Sequence, residues 1–260
     1  MRQTALITGA SSGIGYELSQ IFAENQYNLV LIARRQEKLQ EIQANLKKNY
    51  QVNVIVISQD LAQNNAAQVL FDTLNQQKIK IDVLVNNAGF GDYGFFVESN
   101  WEKMQQMIQL NIMTLTHLTR LFLPGMIQRS QGKILNLGSI ASFQPGPLMA
   151  VYFATKAYIL SFTEGIANEL QGTGVTATVL CPGPTASEFQ VTANQQASKL
   201  IKGKKLAKAA EVAQLGYQAL TQGKTVVVHG LTNKLLIFSN RLAPRNLVTQ
   251  TVRNMLAEDK

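Results

Sequence analysis

Seven short apolar runs alternate along the chain with longer segments of helical periodicity. The runs are rich in Val, Ile and Leu, and most of them are continuously apolar rather than alternately apolar and polar. Continuous apolarity is typical of strands that are covered on both faces, as in a parallel sheet. The runs lie at 4–8, 28–33, 52–58, 81–87, 133–139, 175–181 and 225–230.

The helical patterns between these runs complete a β-α repeat that shows no linker-like break. They lie at 14–25, 36–48, 64–77, 101–129, 152–171 and 209–222. Such a repeat predicts an α/β protein with a single-domain Rossmann fold, in which a doubly wound parallel seven-stranded sheet carries helices on both faces. We expect residues 1–232 to form this domain, with a substrate loop at 184–208. We expect residues 233–260 to form a C-terminal helical extension packed on the same domain.

Composition excludes several classes of protein. Of 260 residues, 46% are hydrophobic and 15% are charged, which argues against disorder. The single cysteine, Cys181, cannot form an intrachain disulfide and suits a reducing compartment. The start, "MRQTALITGA", runs straight into a strand pattern without a signal-peptide core, and no apolar run approaches the ~20 residues of a membrane span. These features predict a cytoplasmic protein with no transmembrane segment.

The net charge of +8 does not by itself indicate nucleic-acid binding. The basic residues are spread along the chain, apart from a small cluster at Lys202, Lys204, Lys205 and Lys208. No basic stretch is interleaved with aromatic residues in a nucleic-acid-binding pattern. We therefore expect no nucleic-acid partner. No Cys, His, Asp or Glu cluster has the spacing of metal ligands, so we also expect no metal.

A glycine-rich segment, "TGASSGIG", follows the first predicted strand and precedes the first predicted helix. Glycine allows a tight turn and a close approach of the backbone to a ligand. The N–H groups at a helix start, with the helix dipole, attract an anion such as a pyrophosphate. A plain turn is the alternative, but the position after the first strand favours a dinucleotide. The predicted cofactor-binding residues of this loop are Gly9, Ser11, Ser12, Gly13, Ile14 and Gly15.

The residues after the second predicted strand indicate which dinucleotide binds. Sites for NAD carry an acidic residue about 20 positions beyond the glycines, which holds the ribose 2′-hydroxyl. This chain has Ala33, Arg34 and Arg35 there instead. A guanidinium can bind a 2′-phosphate with paired hydrogen bonds. We therefore predict NADP(H), with a solvated charge at a helix start as the alternative.

The segment "VYFATKAY" places Tyr152 and Lys156 one helical turn apart on one face. A tyrosine hydroxyl can act as an acid or a base, but its ordinary pKa of about 10 is too high for easy ionisation at neutral pH. A nearby ammonium favours the phenolate and lowers that pKa. We therefore predict that Tyr152 and Lys156 are catalytic, and that Ser139 hydrogen-bonds the substrate oxygen. A solvated lysine on an amphipathic seam is the alternative.

Together these motifs resemble the short-chain dehydrogenase/reductase family over about residues 3–230. The motifs that carry the resemblance are "TGASSGIG", "DL" at 60–61, "NNAG" at 86–89, Asn111, Ser139, "YFATK" at 152–156 and "PGPTAS" at 182–187. Within the family, "VLIARRQEKLQEI" and "CPGPTASEF" look like an NADP-preferring bacterial oxidoreductase branch that is similar to 17β-hydroxysteroid and 3-ketoacyl reductases.

The resemblance implies roles for further residues. Asp60 would bind adenine with Leu61 beside it, and Asn111 would kink its helix and hold a water that relays protons to Lys156. Residues lining the adenosine ribose and stabilising the sheet would be Asn86, Asn87, Ala88 and Gly89. Residues holding the nicotinamide would be Pro182, Gly183, Thr185 and Ser187. Many NADP-preferring relatives have a basic residue in the glycine loop. Here Ser11 and Ser12 stand in that loop, so Arg34 would carry more of the discrimination.

The expected activity is NADP(H)-dependent hydride transfer between the nicotinamide and a carbonyl or alcohol group. A hydrophobic ketone or aldehyde is favoured as the substrate, because the expected pocket wall is apolar. That wall would consist of Phe90, Tyr93, Phe95, Phe143, Pro145, Pro147, Pro184 and Phe189. A non-catalytic NADP(H)-binding sensor or scaffold is the alternative. An epimerase or dehydratase using the same base is a third reading, disfavoured by the length of the chain.

Two features of the sequence concern assembly. Helices 101–129 and 152–171 carry apolar residues on more than one stripe, and relatives pair through these helices, so we expect a homodimer or homotetramer. The residues concerned include Trp101, Met104, Met107, Phe153 and Phe162.

The tail at 233–256 has apolar residues three or four apart on each side of Pro244, which should divide it into two short helices. These residues are Leu235, Phe238, Leu242, Val248, Val252 and Met255. We expect both helices to pack on the protein, over the substrate cleft or at a subunit contact. Docking on an anionic membrane is the less favoured alternative, because only four basic residues support it: Lys234, Arg241, Arg245 and Arg253.

Overall fold

Seven parallel strands form one sheet in the order β3-β2-β1-β4-β5-β6-β7 within the part of the chain that the computed structural model describes, residues 2–196, 198–203 and 205–258. The strands are β1 (Thr4–Thr8), β2 (Asn28–Ala33), β3 (Val54–Ser58), β4 (Val83–Asn86), β5 (Gly132–Leu137), β6 (Val175–Cys181) and β7 (Val226–Val228). The predicted doubly wound Rossmann fold is confirmed. Ala197 and Lys204 of the predicted loop and basic cluster, and residues 259–260 of the predicted extension, lie outside the described residues.

Four strands, β3, β4, β5 and β7, are shorter than their apolar runs. In β3 and β4 the reason is that apolarity reports burial rather than sheet pairing. Val52 and Ile81 are 3% exposed, but each precedes the first paired residue of its strand. At the start of β4, the carboxylate of Asp82 accepts a hydrogen bond from the Thr4 backbone N–H at 3.0 Å, so a side chain takes part in the contact with β1 there.

Helices cover both faces of the sheet. The helices are α1 (Gly13–Glu24), α2 (Gln36–Tyr50), α3 (Ala66–Gln76), α4 (Trp101–Ile108), α5 (Leu115–Gln128), α6 (Ala150–Glu169), α7 (Phe189–Thr192), α8 (Ala209–Thr221), α9 (Leu231–Leu242) and α10 (Arg245–Leu256). On one face α1, α2 and α8 bury residues such as Phe22, Leu46 and Leu220 against the sheet. On the other face α3 and α5 bury residues such as Leu70 and Met126.

The continuous helix predicted over 101–129 is interrupted in its middle. Between α4 and α5 lies a π-helical turn, Gln109–Thr114, in which the helix is wider than an α-helix. Two polar side chains tie this turn to neighbouring elements. The Asn111 amide donates to the Phe90 carbonyl at 3.0 Å, and the Thr114 hydroxyl donates to the Leu61 carbonyl at 2.7 Å. The turn therefore lies where the residues after β3 and β4 meet the helix layer.

The tail forms two helices separated at Pro244, as predicted, but the two helices differ in what their apolar residues contact. In α10, Val248, Val252 and Leu256 are buried against residues that include Met149 and Phe153. In α9, the four residues that form one apolar face are exposed, so this face does not cover the substrate cleft, and the expected subunit contact stays a prediction. Their exposed fractions are Leu231 72%, Leu235 60%, Phe238 62% and Leu242 76%. Among the described residues, no helix combines the length and apolarity that crossing a membrane requires.

Candidate active site

A cavity of about 630 Å³ lies along the carboxyl edge of the sheet. Its wall includes residues that directly follow six of the strands, from Gly9 after β1 to Pro182 after β6. The strand order reverses between β1 and β4, and a doubly wound sheet binds ligands beside such a reversal. The cavity therefore lies where the fold itself places a binding site.

The glycine loop forms one end of the cavity. Gly9 and Gly13 have φ angles of +67° and +54°, a conformation that other residues rarely adopt. A Cβ atom on Gly9 would lie 2.8 Å from the Asn87 amide nitrogen, and one on Gly13 would lie 3.0 Å from the Ser187 Cβ. In the described structure no side chain caps the N-terminus of α1, although Ser12 occupies the cap position. This uncapped helix start, on the cavity wall, fits the pyrophosphate of a dinucleotide.

Asn87 and Thr8 hold the loop in this shape. The Asn87 amide donates to the carbonyls of Thr8 at 2.9 Å and Gly9 at 3.2 Å. The Thr8 hydroxyl accepts from the backbone N–H groups of Asn87 and Ala88, both at 3.0 Å. These bonds join the residues after β1 to those after β4, so they fix the glycine loop against the end of the neighbouring strand at the point where the strand order reverses.

Nineteen of the twenty-two predicted site residues lie on the cavity wall, and three do not. Gly15 lies behind the loop, where a Cβ atom would collide with the Gly9 carbonyl. Asn86 lies inside the sheet and donates to Asn136 Oδ1 at 2.9 Å and to Thr119 Oγ1 at 3.2 Å. The residues placed on the wall are Gly9, Ser11, Ser12, Gly13, Ile14, Arg34, Arg35, Asp60, Leu61, Asn87, Ala88, Gly89, Ser139, Tyr152, Lys156, Pro182, Gly183, Thr185 and Ser187.

Asn111 is the third residue away from the wall, and its predicted catalytic role stays a prediction. It is 1% exposed and lies behind Gly89, whose Cβ atom would be 2.9 Å from Asn111 Oδ1. Its amide donates to the Phe90 carbonyl and, at 3.1 Å, to Thr155 Oγ1, and its Oδ1 accepts from the Phe90 N–H at 3.3 Å. Asn111 therefore joins the residues after β4 to α6. The proton relay that the resemblance implies stays a prediction.

The two arginines after β2 have different surroundings. Arg35 forms a bidentate ion pair with Glu188, with Nη1–Oε1 at 3.0 Å and Nη2–Oε2 at 2.8 Å. This contact lowers the pKa of Glu188 below its ordinary value. Within the described residues, no hydrogen bond or ion pair engages the Arg34 guanidinium, which also lies on the cavity wall. Arg34 is thus available to a phosphate.

Glu188 was not predicted as a site residue. Its signal in the sequence was its position directly after "PGPTAS", the motif that follows β6. The neighbouring hydroxyls fold this segment onto itself. Thr185 Oγ1 donates to the Gly183 carbonyl at 2.9 Å, and Ser187 Oγ accepts from the Phe189 N–H at 3.3 Å. The segment therefore brings Glu188 to the rim of the cavity opposite Arg35.

Tyr152, Lys156 and Ser139 lie together at the other end of the cavity. Lys156 is 4% exposed, and its ammonium donates to the Leu137 carbonyl at 2.7 Å. Its Nζ lies 5.7 Å from the centroid of the Tyr152 ring. Burial lowers the pKa of Lys156 to about 8. The amine of Lys156 is therefore buried, held in place and close to the tyrosine.

The pKa of Tyr152 differs from the expectation for a tyrosine beside an ammonium. Burial raises it to about 12, although a hydrogen bond with the Ser139 side chain acts in the opposite direction. Desolvation outweighs the stabilisation of a phenolate here, and the ammonium of Lys156 points to the Leu137 carbonyl. Tyr152 therefore carries its proton at neutral pH, as a proton donor must.

The substrate end of the cavity is apolar, but mostly through residues that were not predicted. Phe90, Pro184 and Phe189 of the predicted wall line it, and the other five do not. Phe95 is half exposed beneath the Arg253 guanidinium, whose carbon lies 4.8 Å from the ring centroid. The predicted wall did not include Met149, Phe153, Leu200, Ile201, Leu236, Val252, Met255 and Leu256. Of these, Val252 and Met255 belong to the tail residues that were expected over the substrate cleft, and the same apolar spacing extends to Leu256.

Comparisons with known proteins identify the family to which this chain is similar. A family model described as short chain dehydrogenase matches residues 3–198. Sulfoacetaldehyde reductase 2 of Chromohalobacter salexigens is 33% identical over 255 residues, covering 94% of this chain and 96% of that protein. Very-long-chain 3-oxoacyl-CoA reductase of Rattus norvegicus is 29% identical over 252 residues, covering 95% of this chain and 78% of that protein.

Among solved structures, a short-chain dehydrogenase from Sphingobium yanoikuyae in complex with NADPH superposes with a TM-score of 0.82. It is 29% identical, and the superposition covers 92% of this chain and 94% of that one. The family model spans most of the chain and includes the glycine loop, Ser139, Tyr152 and Lys156. From the matched sequence and the shared fold, this chain belongs to the short-chain dehydrogenase family and is an oxidoreductase.

Proposed function

We propose that this protein is an NADP(H)-dependent reductase of a hydrophobic ketone or aldehyde. One observation carries the proposal. A single cavity has an uncapped glycine-rich helix start and Arg34 at one end, and Ser139, Tyr152 and Lys156 at the other. A dinucleotide bound along such a cavity has its phosphates at the first end and its reactive ring near the second.

The choice of NADP(H) is supported by the charges after β2. No hydrogen bond or ion pair from the described part of the chain engages the Arg34 guanidinium on the wall, and residues 33–35 include no carboxylate that would repel a 2′-phosphate. A guanidinium suits a phosphate because it presents two parallel donors. The similar structure from Sphingobium yanoikuyae is in complex with NADPH, which supports the same choice for this chain.

The residues at the other end suit proton donation to a carbonyl oxygen. When bound, NADPH supplies the hydride for the carbonyl carbon. The Tyr152 hydroxyl, protonated because its pKa is about 12, donates the proton to the oxygen. The Ser139 hydroxyl can donate a second hydrogen bond to that oxygen. Lys156, whose pKa is about 8, is mostly an ammonium at neutral pH and stabilises the phenolate that Tyr152 leaves behind.

A hydrophobic substrate is supported by the wall that α6, α9 and α10 build. Phe153, Leu236 and Val252 line this end of the cavity. Lys103 also lies on the wall, but its amine is paired with Asp92 at 2.5 Å. The wall therefore favours an apolar chain over a sulfonate. The name of the rat relative, a very-long-chain 3-oxoacyl-CoA reductase, is consistent with that preference. A cytoplasmic location stays a prediction, supported by the lone buried Cys181.

Tyr152→Phe tests the proposal. The variant keeps the ring and loses the proton donor, so NADPH should bind as in the wild type while turnover falls by roughly 10²–10⁴-fold. The measurement is NADPH oxidation with a panel of ketones and aldehydes, together with NADPH binding by fluorescence titration. Tyr158→Phe is the matched control, because the Tyr158 hydroxyl contacts Thr116 and does not line the cavity.

Two results would contradict the proposal. If Tyr152→Phe turned over within a few-fold of the wild type, Tyr152 would not be the acid. If the wild type bound NADPH tightly and consumed it with none of the carbonyl compounds, the non-catalytic sensor would be the better description.

A further inference from the structure

The helix α9 exposes its apolar face to solvent. Its four exposed apolar residues follow one another at intervals of four, three and four positions, which places them on one side of the helix. We call them the α9 stripe: Leu231, Leu235, Phe238 and Leu242. An ordinary surface helix of a globular protein turns such a stripe toward the core. Here the described residues leave it uncovered.

Contacts on the opposite side hold α9 in this orientation. Ile237 is buried, Asn233 donates to the His229 carbonyl at 2.7 Å, and the amide of Asn240 hydrogen-bonds to Gln144. Leu236 reaches the cavity wall. The inner side of α9 is therefore attached through polar groups as well as apolar ones, and the stripe cannot turn inward without breaking those contacts.

Positive charge borders the stripe. Lys234 lies three residues after Leu231, and Arg241 lies three residues after Phe238, so both follow the same edge of the stripe. Arg245 begins α10 immediately beyond it. Residues 231–256 contain four Lys or Arg residues and no Asp or Glu. An apolar face with a basic border and no acidic residue matches a surface that combines hydrocarbon with negative charge.

A second copy of the chain fits this surface less well. Pairing two α9 stripes across a two-fold axis would bring the lysine and arginine of one copy near those of the other, with no Asp or Glu within residues 231–256 of either copy to neutralise them. An anionic bilayer offers acyl chains to the stripe and phosphates to Lys234 and Arg241. We propose that the α9 stripe docks this protein on an anionic lipid surface.

The docked face would lie beside the substrate end of the cavity. Leu236 lines the cavity from the inner side of α9, and Val252, Met255 and Leu256 line it from α10. An apolar substrate dissolved in the bilayer would thus meet a cavity wall built by the docked tail. This consequence for the substrate rests on the proposed reductase function, whereas the docking itself does not.

Vesicle flotation of the full chain tests the docking. The vesicles contain phosphatidylcholine alone or phosphatidylcholine with phosphatidylglycerol, at ~0.15 M salt, where long-range attraction between exposed charges is screened. We expect the wild type to float with the phosphatidylglycerol vesicles and not with phosphatidylcholine alone. Leu235→Gln combined with Phe238→Gln should weaken this binding by at least about tenfold, because two side chains no longer enter the acyl layer.

Matched variants test whether the effects are specific to the stripe and its neighbouring charges, or follow from removing any exposed apolar side chain or any basic residue. Val69→Gln removes an apolar side chain of similar exposure from α3 and should bind vesicles like the wild type. Lys234→Gln with Arg241→Gln should reduce binding to phosphatidylglycerol vesicles by about tenfold or more, since each basic residue near the surface contributes attraction. Lys47→Gln with Lys48→Gln removes the same charge from α2 and should leave binding unchanged. NADPH titration of each variant checks that it is folded.

Three outcomes would overturn the proposal. The first is that the wild type does not float with phosphatidylglycerol vesicles. The second is that the stripe variant floats as well as the wild type. The third is that light scattering shows a multimer for the wild type and a 28.6 kDa species for the stripe variant while lipid binding is unchanged, and the stripe would then be a contact between copies. Flotation does not depend on turnover, so failure of the carbonyl assay would leave the docking result intact.

Discussion

Arg35 and Glu188 form a bidentate ion pair across the rim of the cavity. Arg35 follows β2 and Glu188 follows β6, so the pair joins the two halves of the sheet. Arg35 Nη2 also lies 3.2 Å from Ser11 Oγ, which brings the glycine loop into the same cluster. The carboxylate of Glu188 thus already engages the Arg35 guanidinium. Arg34, one residue earlier, is left available.

Glu188→Gln should strengthen NADPH binding. The variant releases Arg35 and removes a negative charge near the expected 2′-phosphate. Because an exposed ion pair contributes only about 0.2–1 kcal/mol, the gain should reach up to roughly fivefold in Kd. NADH, which has no 2′-phosphate, should bind as before. Fluorescence titration of both cofactors measures this, and Glu211→Gln, which loses an exposed carboxylate away from the cavity, is the control. Equal strengthening for NADH would contradict the competition.

Ala33→Asp combined with Arg34→Ala should shift preference from NADPH toward NADH. The new carboxylate would repel a 2′-phosphate and accept a hydrogen bond from a free 2′-hydroxyl. Losing a charge-assisted bidentate contact should weaken NADPH binding by roughly 10–100-fold. Arg35→Ala is the comparison and should cost less, because Arg35 is already engaged by Glu188. Tighter binding of NADH than NADPH by the unmodified protein would sink the assignment.

The burial of Lys156 predicts a dependence of stability on pH. Its pKa is lowered from 10.5 to about 8 in the folded chain. Between these values the unfolded chain binds a proton that the folded chain does not, so this residue's contribution to the free energy of unfolding rises with pH. From about pH 8 to about pH 10, the difference between wild type and Lys156→Met should grow by about 2–3 kcal/mol.

Urea unfolding at the two pH values measures this difference. The lost hydrogen bond to the Leu137 carbonyl weakens the variant at both pH values and therefore cancels in the comparison. Lys47→Met, at an exposed position of α2, is the control. A pH-independent difference for Lys156→Met would show that this amine is not desolvated.

Assembly through α4, α5 and α6 stays a prediction, with a different set of contact residues. Met104, Met107 and Phe153 are buried within the chain and cannot provide that contact. Exposed apolar side chains on this segment are Trp101, Ile108, Met113 and Ile127. We expect a homodimer or homotetramer that Met113→Glu dissociates, whereas Val69→Glu on α3 should not. Light scattering that shows only a 28.6 kDa species for the wild type at micromolar concentration would refute this.

The order of elements was determined by the sequence alone, and with it the edge on which the site lies. Continuous apolar runs predict buried parallel strands, and the carboxyl ends of parallel strands meet at one edge. The glycine loop, Arg34, Tyr152 and Lys156 therefore reach one cavity by topology, whatever the details of the loops. The division of the tail at Pro244 was likewise local, because a proline cannot continue a helix.

Contacts between distant residues were decided only by the tertiary structure. Arg35 and Glu188 are 153 positions apart, and no local pattern distinguishes Arg35, which pairs with Glu188, from Arg34 beside it. Asn111 and Asn86 were predicted as site residues from their motifs, but neither lies on the cavity wall. Both side-chain amides are buried and form hydrogen bonds with the residues packed around them. Periodicity shows which side chains share a helix face, but only packing decides whether that face meets protein or solvent. For this reason α10 and α9, with similar spacing, turn their apolar residues in opposite directions: inward in α10 and outward in the α9 stripe.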